Sequence, residues 1–303
     1  MTDRLAPLVI SGAPRSGTSL LYNLFDGHPE VSWLGDEGFL FEYIADLRDD
    51  AGILLEAIPA DIEALVHGLR DKQVIPPLHR SYEQSVERGS VSEVVVSWEW
   101  DEGAFRKVLQ GARPADIDAL WRWLAEACVA GLGQQPRRFA CMKSPDFGKS
   151  AQAALRWCAD TKAVVIVRDP LYSLDSLKRS RELRGEKLLS WPLLALQVER
   201  FRQLHSVITD PDPDRLRVIR YETLVRAPED TMRDLADWIG IEYRASLLEP
   251  TMHGQRWPGI SSFAPTEGIQ DAPQRRPIQA LTEDEQGFIR TALSDLRAAF
   301  DYD

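Results

Sequence analysis

The sequence predicts an α/β fold with a central parallel sheet, and three observations carry that reading. Short apolar, largely β-branched runs recur at Leu8-Val9-Ile10, Phe139 to Met142, Ala163 to Val167 and Leu216 to Ile219. Amphipathic helical stretches separate and follow them, at 149–158, 170–183, 191–208 and 228–239. Strands that alternate with helices in this way make parallel sheets covered by helices. The first strand also runs through a glycine-bracketed turn directly into a helical pattern, "VISGAPRSGTSLL" at 9–21. With 303 residues the chain has room for one large core, and residues 1–303 are read as one domain.

The elements follow in order. After Ile10, Gly12 and Gly17 have the spacing of the phosphate loop G-x-x-x-x-G-K-[ST], and Ser19 fills its last position. Thr18 stands where a nucleotide triphosphatase carries lysine. The backbone can still cradle an anion, because a strand, a tight turn and a helix start gather several N–H groups around one point. Arg15 supplies a cation, and Ser16, Thr18 and Ser19 supply hydroxyl donors. The fold expected is P-loop NTPase-like, three layers with a helical insertion. "GHPE", 27–30, reads as the turn that ends the first helix.

Residues of about 37–135 interrupt the strand–helix rhythm. They read as helices at roughly 37–49, 60–69, 102–110 and 115–131 with few strand signals, a helical insertion suited to substrate contacts. Within it "SWEWDE", 97–102, alternates aromatics with acids, as a half-buried strand does or as an acceptor wall would. Lys143 then follows the strand 139–142, at the carboxyl edge where such sheets place their ligands. Ser144 and Asp146 suit a cap and a helix start. Arg168 ends the strand 163–167, and Ser176 lies two helical turns further on. The cationic run 178–187 continues that helix as a mostly solvated face, with Arg179 nearest the phosphate side. Tyr221 follows the fourth strand. Residues of about 250–281 are rich in Pro, Gly, Ser and Gln, a long loop of the kind that is usually functional, before a last helix at 282–299.

Composition narrows the function. A net charge of -11 argues against general nucleic-acid or anionic-membrane binding. No apolar run approaches the ~20 residues of an integral membrane segment, and no leader pattern precedes the first strand. Cys128, Cys141 and Cys158 lack metal-ligand spacing and fit a reduced, cytoplasmic setting. Asp146 and Asp169 sit at strand ends, where an ATPase would hold magnesium, but each has a cation beside it that a metal would oppose. A metal-free anion site is the better fit.

Two motifs together resemble a known family. "APRSGTSLL" resembles the 5′-phosphosulfate loop of sulfotransferases that use 3′-phosphoadenosine 5′-phosphosulfate (PAPS). "VVIVRDPLYSLDSL" resembles their 3′-phosphate site, which implies that Arg168 and Ser176 hold that phosphate. Pro14 to Leu20, followed by Asp26, His28, Pro29, Glu30 and Val31, is most similar to the tyrosylprotein sulfotransferases and their bacterial relatives. The resemblance implies in-line transfer of a sulfuryl group to an acceptor hydroxyl, leaving 3′-phosphoadenosine 5′-phosphate (PAP), with no metal. It implies a carboxylate base in "GDEGF", either Glu37 or, counting without a gap, Asp36. A histidine base, as in other sulfotransferases, would be His28. Arg15 and Lys143 become the catalytic cations, and Arg15, Ser16, Gly17, Thr18, Ser19, Arg168, Ser176 and Tyr221 the cofactor contacts. The long loop resembles a cofactor-covering loop that contributes Ser261 or Ser262 and Arg276 or Arg275. The acceptor expected is a small metabolite, saccharide or lipid hydroxyl, with peptide tyrosine also open. Two rival readings stand beside it. A magnesium-dependent P-loop kinase or NTPase would bind Mg·ATP tightly. A catalytically inactive nucleotide-binding protein would bind cofactor without turnover.

Overall fold

The computed structural model of the chain describes residues 5–35, 40–49, 52–53, 55–71, 74, 79–87, 90–186, 189–209, 211–257, 259, 268–269 and 277–302. It opens with strand β1, Ala6–Gly12, then helix α1, Thr18–Leu24, strand β2, Val31–Trp33, and helix α2, Leu40–Asp46. A small hairpin of β3, Arg48–Asp49, and β4, Gly52–Ile53, leads to α3, Ile62–Asp71. A long antiparallel hairpin follows, β5 at His79–Glu87 and β6 at Ser90–Glu99. Next come α4, Glu102–Leu109, α5, Ile117–Gly131, β7, Phe139–Ser144, α6, Lys149–Trp157, β8, Lys162–Val167, and α7, Pro170–Leu183. The described chain closes with α8, Trp191–Ile208, β9, Leu216–Arg220, α9, Tyr221–Arg226, α10, Pro228–Ile239, a two-stranded hairpin of β10, Thr251–Met252, and β11, Gln255–Arg256, and the helices α11, Glu283–Ala292, and α12, Ser294–Ala299.

The predicted α/β class holds. Five parallel strands form one sheet in the order β2-β7-β1-β8-β9. Its middle strand, β1, is buried at all seven residues, which is why it reads as an unbroken apolar run rather than an alternating one. Every helix expected outside the insertion forms, except that 282–299 breaks at Leu293 into α11 and α12.

Three departures from the sequence reading have clear causes. A fifth strand, β2, extends the sheet beyond β7, pairing Val31 with Phe139 and Trp33 with Cys141. It is three residues long, too short to show a pattern. The insertion holds the expected helices but also the β5–β6 ribbon, whose first strand, "HRSYEQSVE", has no apolar period to betray it. The segment 250–281 begins not as loop but as the β10–β11 hairpin, turned by His253 and Gly254, both at positive φ, as a two-residue type I′ turn requires. Among the described residues no helix is long and apolar enough to cross a membrane.

Candidate active site

The carboxyl ends of the parallel strands bring the predicted residues to one edge of the sheet. Register decides who neighbours whom. Gly12 pairs with Ile166, Ile10 with Lys143, and Val167 with Arg220, so the next residues along, Arg168 and Tyr221, leave the sheet side by side.

The loop after β1 is held in shape by its own atoms. The Ser16 N–H and hydroxyl both donate to the Ala13 carbonyl, at 3.2 and 2.7 Å, so the Ser16 hydroxyl proton shapes the turn instead of projecting to a ligand. Arg15 takes a left-handed conformation, φ 67°, which costs energy for a residue with a Cβ and recurs at functional turns. Gly17, at φ 101°, caps α1, and a Cβ there would stand 2.4 Å from the Tyr221 ring. A Cβ on Gly12 would stand 2.4 Å from the Ile166 carbonyl. The two glycines are therefore required by close approach of the loop to the β8–β9 side. Thr18 and Ser19 open α1, whose first-turn N–H groups have no acceptors within the helix.

Arg168 and Ser176 meet the loop together. Arg15 Nε donates to Ser176 Oγ at 3.2 Å, and Arg168 Nη1 donates to the Arg15 carbonyl at 3.0 Å. The described contacts thus put the Arg15 guanidinium on the Arg168–Ser176 side of the loop. The Arg168 guanidinium lies 4.6 Å above the Tyr221 ring, a cation–π contact that fixes its plane. Arg168 is only 7% exposed, yet its Nε and Nη2 have no hydrogen-bond partner among the described residues. Buried guanidinium donors left open at a strand end mark a place for an anion. Tyr221 itself is 7% exposed, wedged between Gly17 and Arg168.

Lys143 is 2% exposed, and its Nζ donates to Ser19 Oγ at 2.9 Å, so this cation reaches from β7 to the start of α1. The acids beside the two cations are both turned inward. Asp146 accepts from Ser11 Oγ at 2.9 Å and from the Ser150 N–H at 2.7 Å, tying the β7 turn to β1 and to α6. Asp169 caps α7 through the Leu171 N–H at 2.9 Å and pairs with Arg297 Nη1 at 2.5 Å. The predicted bases Asp36 and Glu37 and the loop residues Ser261, Ser262, Arg275 and Arg276 lie outside the described residues. The chain approaches the first pair from Gly35, whose carbonyl accepts from the Tyr22 hydroxyl.

With this geometry in place, comparison with known proteins is decisive. The model of a sulfotransferase family (Sulfotransfer_3) matches residues 7–245, most of the chain. The chain belongs to the sulfotransferase family. Solved structures of similar fold include the sulfotransferase domain from the Synechococcus PCC 7002 olefin synthase, 18% identical, with a TM-score of 0.57 over 99% of this chain and 96% of that one. The sulfotransferase domain from the curacin biosynthetic pathway, also 18% identical, has a TM-score of 0.50 over 96% of this chain and 98% of that one.

Two further carboxylates, Asp26 of the quoted motif and Asp175, which the sequence did not flag, have structural roles in this sulfotransferase that the sequence did not show. Asp26, at the end of α1, accepts from Thr251 Oγ1 at 2.8 Å and from the Gly254 N–H at 2.7 Å, fastening the β10–β11 hairpin. Asp175, fully buried and adjacent to Ser176, accepts on one oxygen from the N–H groups of Gln279, Ala280 and Leu281 at 3.1, 2.6 and 3.2 Å. Two carboxylates, one just past α1 and one on α7, thus hold both flanks of the C-terminal segment. Their partners lie far away in sequence, so no local pattern could have shown what they hold. His28 fulfils its reading as a turn residue. It is buried, its Nε2 donates to the Glu242 carbonyl at 2.9 Å, and its Nδ1 accepts from the Glu30 N–H at 3.2 Å. With both ring nitrogens engaged, it has no free atom for proton abstraction. Burial lowers its pKa below the usual imidazole value, and Arg244 and Arg137 push the same way against the Glu242 hydrogen bond and Glu30.

Proposed function

We propose that this sulfotransferase moves a sulfuryl group from PAPS to an acceptor hydroxyl by in-line transfer. The observation that supports it most directly is Arg168, a buried cation with two open donors, joined to the β1 loop through the Arg15 carbonyl and to Ser176 through Arg15. A nucleotide with a phosphate at its 3′ position and a charged 5′ end fits that pair of adjoining anion sites. When bound, PAPS supplies the sulfuryl group and leaves as PAP.

The chain's own part is positioning and charge stabilisation, as in phosphoryl transfer. Arg168 and Ser176 hold the 3′-phosphate, and Tyr221 fixes the plane of the Arg168 fork. The backbone from Arg15 to Ser19 holds the 5′ end. Lys143, carried by β7 and aligned by Ser19, stabilises charge that develops at the transferring group, with Arg15 as the second cation. Glu37 or Asp36 takes the proton from the acceptor. Ser261 or Ser262 and Arg276 or Arg275 cover the cofactor. The acceptor is a small metabolite, saccharide or lipid hydroxyl, or a peptide tyrosine, met by the insertion of about 37–135. Residues 1–303 act as one domain, in a cytoplasmic setting consistent with three free buried cysteines. The magnesium-dependent reading is weakened by Thr18 and by Asp146 and Asp169, whose carboxylates are committed to Ser11, Ser150, Leu171 and Arg297.

Calorimetric titration with PAP, with and without magnesium, tests this against ATP. The expected result is micromolar PAP binding that needs no metal and is lost in Arg168→Ala and Arg15→Ala. Binding of Mg·ATP alone would overturn the proposal.

A further inference from the structure

An arginine followed directly by an aspartate is a poor anion site unless something removes the acid. Here Asp169 is buried, one residue from Arg168, and its charge would oppose any phosphate that Arg168 holds. The structure supplies the remedy from the far end of the chain. Arg297, on α12, is 4% exposed and pairs with Asp169 at 2.5 Å. The same corner is braced a second time. The Asp169 N–H donates to Glu222 Oε1 at 3.1 Å, and the Tyr302 hydroxyl donates to Glu222 Oε2 at 3.0 Å. Arg220 lies 4.0 Å from Glu222 and 4.8 Å from the centre of the Tyr302 ring. The charges of Asp169 and Glu222 are therefore answered by Arg297 and Arg220. Arg168, on the other side of the same turn, is left with its charge and two donors uncommitted among the described residues.

We propose that Arg297 is a positioning residue for the 3′-phosphate: it neutralises Asp169, so that Arg168 keeps its charge for the ligand. The end of the chain is in this sense part of the nucleotide site, although α12 contributes no atom to the phosphate. The inference rests on the reading of Arg168 as the 3′-phosphate site.

The experiment compares the affinities of PAP and AMP, which differ by that phosphate, in the full chain. The wild type is expected to prefer PAP strongly, and Arg168→Met to erase the preference. In Arg297→Gln, PAP affinity should fall about tenfold, the scale of one uncompensated charge a few ångströms away, with AMP affinity changed less than twofold. Arg297→Lys should recover most of the loss. The double variant Asp169→Asn/Arg297→Gln, which removes both charges and keeps a capping side chain on α7, should restore the PAP preference to near wild type. It also serves if Arg297→Gln alone does not fold. Equal losses for PAP and AMP in Arg297→Gln, or a double variant that still lacks the preference, would overturn the proposal and make Arg297 merely structural. A wild type that binds PAP no better than AMP would instead overturn the reading of Arg168 and the proposal with it.

Discussion

The ends of β7 and β8 start from the same local plan, a cation and then an acid, and put it to different use. At the end of β7 the cation is Lys143 and the acid Asp146; just after β8 they are Arg168 and Asp169. In both, the acid is drawn into the fold, Asp146 to Ser11 and Ser150, Asp169 to Leu171 and Arg297. The cations differ. Lys143 is a point charge whose Nζ donates to the Ser19 hydroxyl. Arg168 is a planar fork, stacked on Tyr221 and tied to the Arg15 carbonyl, with two donors open. A flexible point charge suits a group whose charge moves during reaction; a fixed fork suits a phosphate that stays put. The contrast teaches that acids beside functional cations need not cancel them, provided the fold gives each acid its own partner.

The contrast can be broken at either end. Lys143→Met should give the largest effect, a fall in kcat of roughly 10²–10³-fold, the scale for loss of one preorganised transition-state contact, with PAP affinity little changed. Arg168→Met should do the reverse, lowering PAP affinity by about ten- to a hundredfold with a smaller effect on kcat at saturating cofactor. Steady-state kinetics with PAP titrations on both variants would show it. If the two variants change kcat and affinity in the same proportion, the division of labour is wrong.

Removing an acid should act on the fold first. Asp146→Ala strips partners from the Ser11 hydroxyl and the Ser150 N–H, and should cost about 2–3 kcal/mol of stability in denaturant unfolding. The smallest effect expected is that of His28. The unfolded imidazole titrates near 6.5 and the folded one lower, so the unfolded chain binds the extra proton first. Its contribution is therefore complete above pH 6.5 and is lost as pH falls from there towards the folded pKa. The denaturant midpoint should drop over that interval in the wild type and less steeply in His28→Asn.

What the sequence reveals follows from how local each signal is. The strands β1, β7 and β8 are buried on both faces and announce themselves as apolar runs, and the half-buried edge strand β9 still shows through Leu216, Val218 and Ile219. The pair Arg168 and Ser176 is legible because both lie within one strand–helix unit. β2 is hidden because three residues carry no period, and β5 because its residues alternate without an apolar face. Asp175 and Arg297 look like surface charges in their helices, and Asp26 shows its motif but not its partners. Only the folded chain shows that Asp175 meets Gln279 to Leu281 and that Asp169 meets Arg297, partners more than a hundred residues apart.

The attachments of the C-terminal segment also make the chain divisible. Residues 277–302 are held to α7 and its cap by Asp175 on three N–H groups, by the buried pair Lys178–Glu285 at 2.8 Å, and by Asp169–Arg297. Ile289 and Leu296 add fully or nearly fully buried apolar contacts. None of these attachments depends on covalent continuity between Trp257 and Pro277. Two polypeptides made by cutting one bond within that interval should therefore assemble when mixed, at a cost in association entropy that makes the complex concentration-dependent. A two-piece enzyme of this kind would turn joining of its halves into a signal, with sulfation switched on by complementation.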